Sequence, residues 1–281
     1  MKLQNSYENL LEKKNFDIIR KTAEDEKTIS DEVIVENLLS VYINGLLRVK
    51  IPCTPGNLAE LVLGYLFTEG IIETVEEVDL IDVCEFGSRA IVRLMQDDST
   101  YQEAATQEQK DSHIRSLRSG CSEPWVFDPL QSGSGEPEKK LPSEIRPIEW
   151  KPEDIFMLAS FITRESKLFL STGGTHSCAL GIKDEKGAWN PYFCEDIGRH
   201  NAVDKVIGCA LRDNMDLSKG ILFTSGRIPS DMALKAVKSR IPVIASHSAP
   251  TDKAILIARE YGLTLIGFTR NGRMNVYSKG E

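Results

Sequence analysis

One pattern recurs through the second half of the chain and limits what it can fold into: a short apolar run that ends in a Gly, Ser or Thr loop. Leu168 to Leu170 leads into Ser171-Thr172-Gly173-Gly174-Thr175-His176, Ile221 to Phe223 into Thr224-Ser225-Gly226-Arg227, and Pro242 to Ala245 into Ser246-His247-Ser248-Ala249-Pro250-Thr251. In the last two a helical pattern follows at once, which is the strand, loop and helix grammar of an α/β sheet. A further segment, Glu195-Asp196-Ile197-Gly198-Arg199-His200-Asn201-Ala202-Val203-Asp204-Lys205, packs acidic, basic and amide side chains between an apolar run and a helical run. Loops at the carboxyl ends of neighbouring parallel strands share one crevice, where ligands bind. Glycine lets backbone approach a ligand, hydroxyls donate to it, and helix N-termini favour anions. Any one of these loops alone is ordinary punctuation. Together they carry His176, His200, Arg227 and His247, and the combination points to an anionic, phosphate-bearing ligand.

The charge distribution agrees. Residues 1–150 hold 16 Lys+Arg against 28 Asp+Glu, while the remainder holds 18 against 14, so the half with the loops is the basic half of a chain of net charge -8. That excess is too small, and too poor in interleaved aromatics, for a nucleic-acid surface. No apolar run approaches the roughly 18 to 20 residues of a membrane helix. The segment Met1 to Glu8 has no apolar h-region, so a cytoplasmic protein is expected.

Three parts are expected: a small α+β domain over 1–96, a mobile linker over 97–149 and a second α/β domain over 150–281. The first thirty residues are charged and weakly periodic, and read as a loose helix or frayed tail. Asn44-Gly45 between apolar runs is a strong hairpin signal. Leu58, Leu61, Val62, Tyr65 and Leu66 recur at helical spacing after Pro55-Gly56-Asn57 and stop at Glu69-Gly70. Beyond Asp97 the chain turns to Ser, Gly, Pro, Glu and Gln, far past the usual connection length. A helix resumes at Pro152-Glu153-Asp154.

Of the 6 cysteines, Cys178, Cys194 and Cys209 sit in apolar patterns, as do Cys53 and Cys84 less clearly, and all read as small buried hydrophobes. Cys121, within Ser119-Gly120-Cys121-Ser122-Glu123-Pro124-Trp125, lies in the polar stretch instead. Arg115 and Arg118 precede it, and nearby cations favour a thiolate. A thiolate on such an arm can pick up sulfur in one place and release it in another; a cysteine stranded in a linker without a role carries equal weight.

The five loop motifs, Ser171 to His176, Glu195 to Lys205, Thr224 to Arg227, Ala245 to Thr251 and Gly267-Phe268-Thr269-Arg270-Asn271-Gly272-Arg273-Met274-Asn275-Val276-Tyr277, together resemble the FdhD family of formate dehydrogenase accessory sulfurtransferases. Val41 to Ile72 is similar to the family's N-terminal segment. The resemblance implies a cytidine-deaminase-like three-layer second domain without its metal. It also implies that a cysteine desulfurase passes persulfide sulfur to Cys121, which hands it to the molybdenum or tungsten bis(molybdopterin guanine dinucleotide) cofactor for the formate dehydrogenase apoprotein. The cofactor-contacting segment falls on Phe268, Thr269, Arg270, Asn271, Gly272 and Arg273, with Arg270 and Arg273 suited to phosphate oxygens. Arg199, His200, Asn201, Ser225, Gly226 and Arg227 would line the crevice around the guanine dinucleotide. A homodimer is expected by the same analogy.

Zinc chemistry is not expected, because His176-Ser177-Cys178 lacks the Glu that a zinc deaminase places two residues on, and no two cysteines lie three apart. Many FdhD-like proteins carry a second cysteine three positions after the first, where this chain has Pro124. Either a single persulfide on Cys121 suffices, or the protein is a non-covalent cofactor chaperone. A third reading is an unrelated small-molecule enzyme with His176 and Glu195 as acid and base.

Overall fold

The structure is a computed structural model that describes residues 1–7, 10–95, 145–184 and 187–280. Cys121 and the rest of the expected linker before residue 145 lie outside the described residues. Within them the chain forms a mixed α/β fold.

The first sheet contains β1 (Lys2–Asn5), β4 (Asn37–Ile43), β5 (Leu46–Cys53), β6 (Val78–Val83) and β7 (Arg89–Leu94), in the order β1-β6-β7-β4-β5. The β4–β5 hairpin turns at Asn44 and Gly45, whose φ values of 47° and 86° are the paired positive values that an Asn-Gly turn requires. Helix α1 (Leu58–Thr68) follows where its apolar spacing places it.

Residues 13–34 depart from the expected loose helix or tail. They form an antiparallel ribbon, β2 (Lys13–Lys21) with β3 (Glu26–Ile34). Opposite charges meet across it, Lys13 with Glu32 at 2.6 Å and Lys21 with Glu26 at 2.7 Å, so the weak apolar periodicity is that of a largely solvated ribbon.

The second sheet contains β8 (His176–Lys183), β9 (Trp189–Asp196), β10 (Gly220–Thr224), β11 (Val243–Ser246), β12 (Thr264–Arg270) and β13 (Arg273–Ser278), in the order β13-β12-β11-β10-β8-β9. Strands β10, β11 and β12 are parallel; β8 and β13 run against them, and β9 runs against β8. Helix α2 (Pro152–Glu165) covers one face, where Ile155, Leu158 and Ile162 meet Ala179, Ile221, Phe223 and Ile266. The other helices are α3 (Lys167–Thr172), α4 (Arg199–Arg212), α5 (Ser230–Lys238) and α6 (Asp252–Glu260). Of these, α4, α5 and α6 pack on the opposite face, in one apolar core that also takes in α1 and the first sheet.

Leu168 to Leu170 was expected as a strand and is instead part of α3, with Phe169 and Leu170 exposed at 48% and 70%. The cause is Glu195. Its carboxylate accepts the backbone N–H groups of Leu168 at 2.9 Å and Phe169 at 2.8 Å, satisfying donors that a helix start leaves open. Helices α1 and α4 cross in closest contact at two glycines: a methyl on Gly64 would fall on the carbonyl of Asp204, and one on Gly208 on the carbonyl of Glu60. Among the described residues no helix is long and apolar enough to cross a membrane.

Candidate functional site at one sheet edge

The strand directions bring the loop motifs to one edge of the second sheet. Strands β9, β10, β11 and β12 end there at Asp196, Thr224, Ser246 and Arg270, and antiparallel β8 begins there at His176, which pairs with Asp196. Helix α4 starts at the same edge, with Arg199 and His200 as its first two residues, and so does α5.

Most of the dense motif from Glu195 to Lys205 holds the fold together. Glu195 anchors α3 and also accepts from the Thr175 hydroxyl at 3.0 Å. Asp196 and Lys205 form an ion pair of 2.7 Å, with side chains 0% and 1% exposed. Asp196 also accepts from Thr54 N and Oγ1, both at 3.0 Å, from Gly198 N at 2.8 Å, and from Asn201 Nδ2 at 2.8 Å. Lys205 in turn donates to the Thr54 hydroxyl and carbonyl. Burial, the largest single influence, makes its ammonium easier to deprotonate, but the charge and hydrogen bond of Asp196 together with Cys53 and Cys194 outweigh it and raise its pKa. Asp204 is buried and bonded to Lys235 at 2.9 Å. Asn201, an expected crevice residue, is buried and spends its amide on Pro52 O and Asp196.

Among the described residues at this edge are four more cationic or titratable side chains that belong to the loop motifs. Arg199, His200 and His176 are half-buried and Arg227 is exposed. Arg199 and His176 close on Gly226, where an added Cβ would stand 3.4 Å from both Arg199 Cβ and His176 Nδ1, and His200 and Arg227 lie near enough to act on the His176 charge. Burial lowers the pKa of His176 below 6.5, and Arg199, His200 and Arg227 push it the same way. The Asp196 charge opposes these without reversing the shift, so the setting favours the neutral imidazole of His176. His200 Nε2 lies 2.7 Å from Oδ2 of Asp231, a residue the sequence reading passed over although it stands in the first turn of the helix after the Thr224 to Arg227 loop. Ser225 extends the β8–β10 ladder through its hydroxyl, which accepts Ser177 N at 3.0 Å.

The segment Phe268 to Arg273 forms the β12–β13 turn. Asn271 and Gly272 have φ values of 53° and 71°, again a turn suited to Asn-Gly. Phe268 also has a positive φ, 52°, unusual for an aromatic residue. Its N–H is held by Ser248 O at 3.0 Å, and the Arg270 guanidinium lies 5.7 Å from its ring centre. Phe268, Arg270, Arg273 and Asn275 line an open cleft of about 230 Å³. Thr269 faces away, fully buried, with its carbonyl 2.7 Å from His247 Nδ1.

Of the five described cysteines, four are buried. Burial pushes the Cys53 thiol up to about 12 and raises Cys178 far above its ordinary range. Cys194 and Cys209 touch each other at 4.0 Å. Cys84 differs: slight burial opposes its thiolate, but hydrogen bonds from Ser88 and from the backbone of Phe86, Ser88 and Arg89 outweigh it and lower its pKa.

Known proteins resemble this chain over most of its length. The profile of the FdhD/NarQ family matches residues 34–281. "Sulfur carrier protein FdhD" of Bacillus subtilis is 34% identical over 253 residues, covering 90% of each chain. The Shouchella clausii protein of the same name is 32% identical over 254 residues, again 90% of each. A solved structure from Desulfotalea psychrophila, of a protein whose name assigns it a formate dehydrogenase accessory role, superposes with a TM-score of 0.70 at 24% identity and covers 96% of this chain and 98% of its own. The fold, the edge motifs and the extent of these matches place the chain in the FdhD/NarQ family.

Proposed function

We propose that the protein is a sulfur carrier that serves formate dehydrogenase. Cys121 accepts persulfide sulfur from a cysteine desulfurase and passes it to the molybdenum or tungsten bis(molybdopterin guanine dinucleotide) cofactor. The observation that carries this reading is the placement of Arg199, His200 and Arg227 at the sheet edge where β10, β11 and β12 end, in a chain 34% identical to a named sulfur carrier over 90% of its length. Arg270 and Arg273, on the cleft beside Phe268, supply bidentate donors for phosphate oxygens. In the loading step the Cys121 thiolate attacks the outer sulfur of the donor persulfide. One S–S bond forms, one breaks, and the donor cysteine leaves as a thiolate. On delivery the S–S bond breaks with its electron pair returning to Cys121, restoring the thiolate, and the outer sulfur passes as sulfane sulfur to the cofactor, whose reduced metal supplies the two electrons that make it a sulfido ligand.

Intact-protein mass spectrometry after incubation with a cysteine desulfurase and cysteine tests this. The parent and a Cys84→Ser variant are expected to gain one sulfur atom, and Cys121→Ser none. The Cys84 control matters because hydrogen bonding favours its thiolate too. Absence of gain on the parent, with the desulfurase competent on another acceptor, would leave the non-covalent cofactor chaperone as the reading. That alternative uses the same crevice, and the four buried thiols fit it equally. The acid–base role once open to Glu195 loses support, since its carboxylate is committed to α3 and Thr175.

A further inference from the structure

One carboxylate stands against the cationic crevice. Asp231, the second residue of α5, accepts its neighbour's backbone N–H (Met232) at 2.8 Å through Oδ1 and meets His200 Nε2 at 2.7 Å through Oδ2. The two side chains are 30% and 34% exposed, so the pair is reachable from solvent yet partly screened from it. Burial, the largest single influence, opposes ionisation of Asp231, but the hydrogen bond and charge of His200, the Met232 N–H and the Arg199 charge together outweigh it and hold the carboxyl below its usual range. An ionised carboxylate only accepts, so the proton between the two belongs to His200 Nε2. The second ring nitrogen, Nδ1, is then the one a ligand meets. The charged and titratable groups that interact with the His200–Asp231 pair are Arg199 on the same helix as His200, His176 on β8 and Glu69 at the end of α1.

An anionic oxygen arriving at Nδ1 sets the imidazole between two anions. The ring then takes a proton from solvent at Nδ1 and donates from both nitrogens, to Asp231 and to the ligand. No electrons move. We propose that Asp231 is a positioning residue that makes His200 bind a phosphate oxygen as imidazolium, so that ligand binding takes up one proton. This rests on the reading of the crevice as the guanine dinucleotide site, and it assigns His200 the phosphate-holding role rather than that of a proton donor in sulfur transfer. His176, with its neutral bias, accepts or donates there without charging.

Guanosine diphosphate is the probe. Titration calorimetry at pH 8, in two buffers of different ionisation enthalpy, reads the protons taken up per nucleotide bound. The parent is expected to take up a substantial fraction of one proton, and Asp231→Asn, which keeps the side-chain shape, less than about half as much, with affinity lower by roughly fivefold to tenfold. Asp231→Glu restores part of both, and His200→Gln removes the uptake. A thermal melt of Asp231→Asn close to the parent's separates the effect from misfolding. Parent binding with uptake unchanged in Asp231→Asn overturns the role of Asp231 and leaves the crevice reading standing. No nucleotide binding by the parent overturns the crevice reading and this inference together.

Discussion

His176 shows how an environment at this edge becomes a property of the whole fold. Its folded pKa lies below the ordinary 6.5, through burial first and then Arg199, His200 and Arg227, so between the two values the unfolded chain binds a proton that the folded chain refuses. Its contribution to stability is therefore intact above pH 6.5, is lost as pH falls through that window, and levels off below the folded value. The urea midpoint of the parent is expected to fall further between pH 7.5 and 5.5 than that of His176→Gln; equal falls would show that His176 titrates alike in both states. At this scale the sequence was only partly legible. It singled out Glu195 to Lys205 as a reactive cluster, but five of those residues, Glu195, Asp196, Asn201, Asp204 and Lys205, serve the scaffold. The partners that decide this, Thr54 for Asp196 and Thr68 for Asp204, stand 142 and 136 positions away. No local pattern reports such a contact. Asp231 was missed for the same reason, since its meaning lies in a side chain 31 positions earlier.

Elements set by local chemistry were the readable ones. The Asn44-Gly45 turn, α1, α2 and the strands β10 and β11 follow from turn residues, helical spacing and short apolar runs. Helix α3 was misread because the apolar run Leu168 to Leu170 at its centre fits strand and helix alike, and the deciding cap is a distant carboxylate. The ribbon β2–β3 escaped because its stabilising pairs are ionic and lie across strands. The crossing of α1 and α4 is a further element-scale feature, and it depends on Gly64 and Gly208. Each faces a backbone carbonyl of the opposite helix, which cannot rotate away as a side chain could. Gly64→Ala and Gly208→Ala are each expected to cost about 1–3 kcal/mol of stability, despite the better helix propensity of alanine. The double variant should cost less than the sum, because one displacement of the helices relieves both clashes. Denaturant melts check this, and a stabilising Gly64→Ala would refute the close packing.

The same helix pair joins the two sheets into one apolar core, which runs from Leu39 and Val49 through Leu61 and Val206 to Ile244 and Leu265. Two buried ionic links cross the same junction: Asp196 and Lys205 converge on Thr54 beside β5, and Asp204 and Lys235 on Thr68 in α1. Removing Lys205 would leave Asp196 charged in the interior, a change that typically costs about 3–5 kcal/mol. The remaining donors to Asp196, from Thr54, Gly198 and Asn201, argue for the lower end of that range. Because the link spans both sheets, Lys205→Met should lower the stability of both together. Trp150 and Trp189, two of the chain's 3 tryptophans, pack on the α2 face of the second sheet, so in a Trp125→Phe background fluorescence follows a region on the far side from the substitution, while circular dichroism follows the whole chain. The expected result is one transition by both probes, in parent and variant, with the same shift in midpoint. Two separated transitions, with tryptophan unchanged in the variant, would mean that the sheets unfold independently. The crevice borrows its rigidity from this junction, since Arg199 and His200 open the helix that carries Lys205 and Gly208. A ligand held there at 100 times its Kd should therefore raise the single transition as a unit, by about 2.7 kcal/mol.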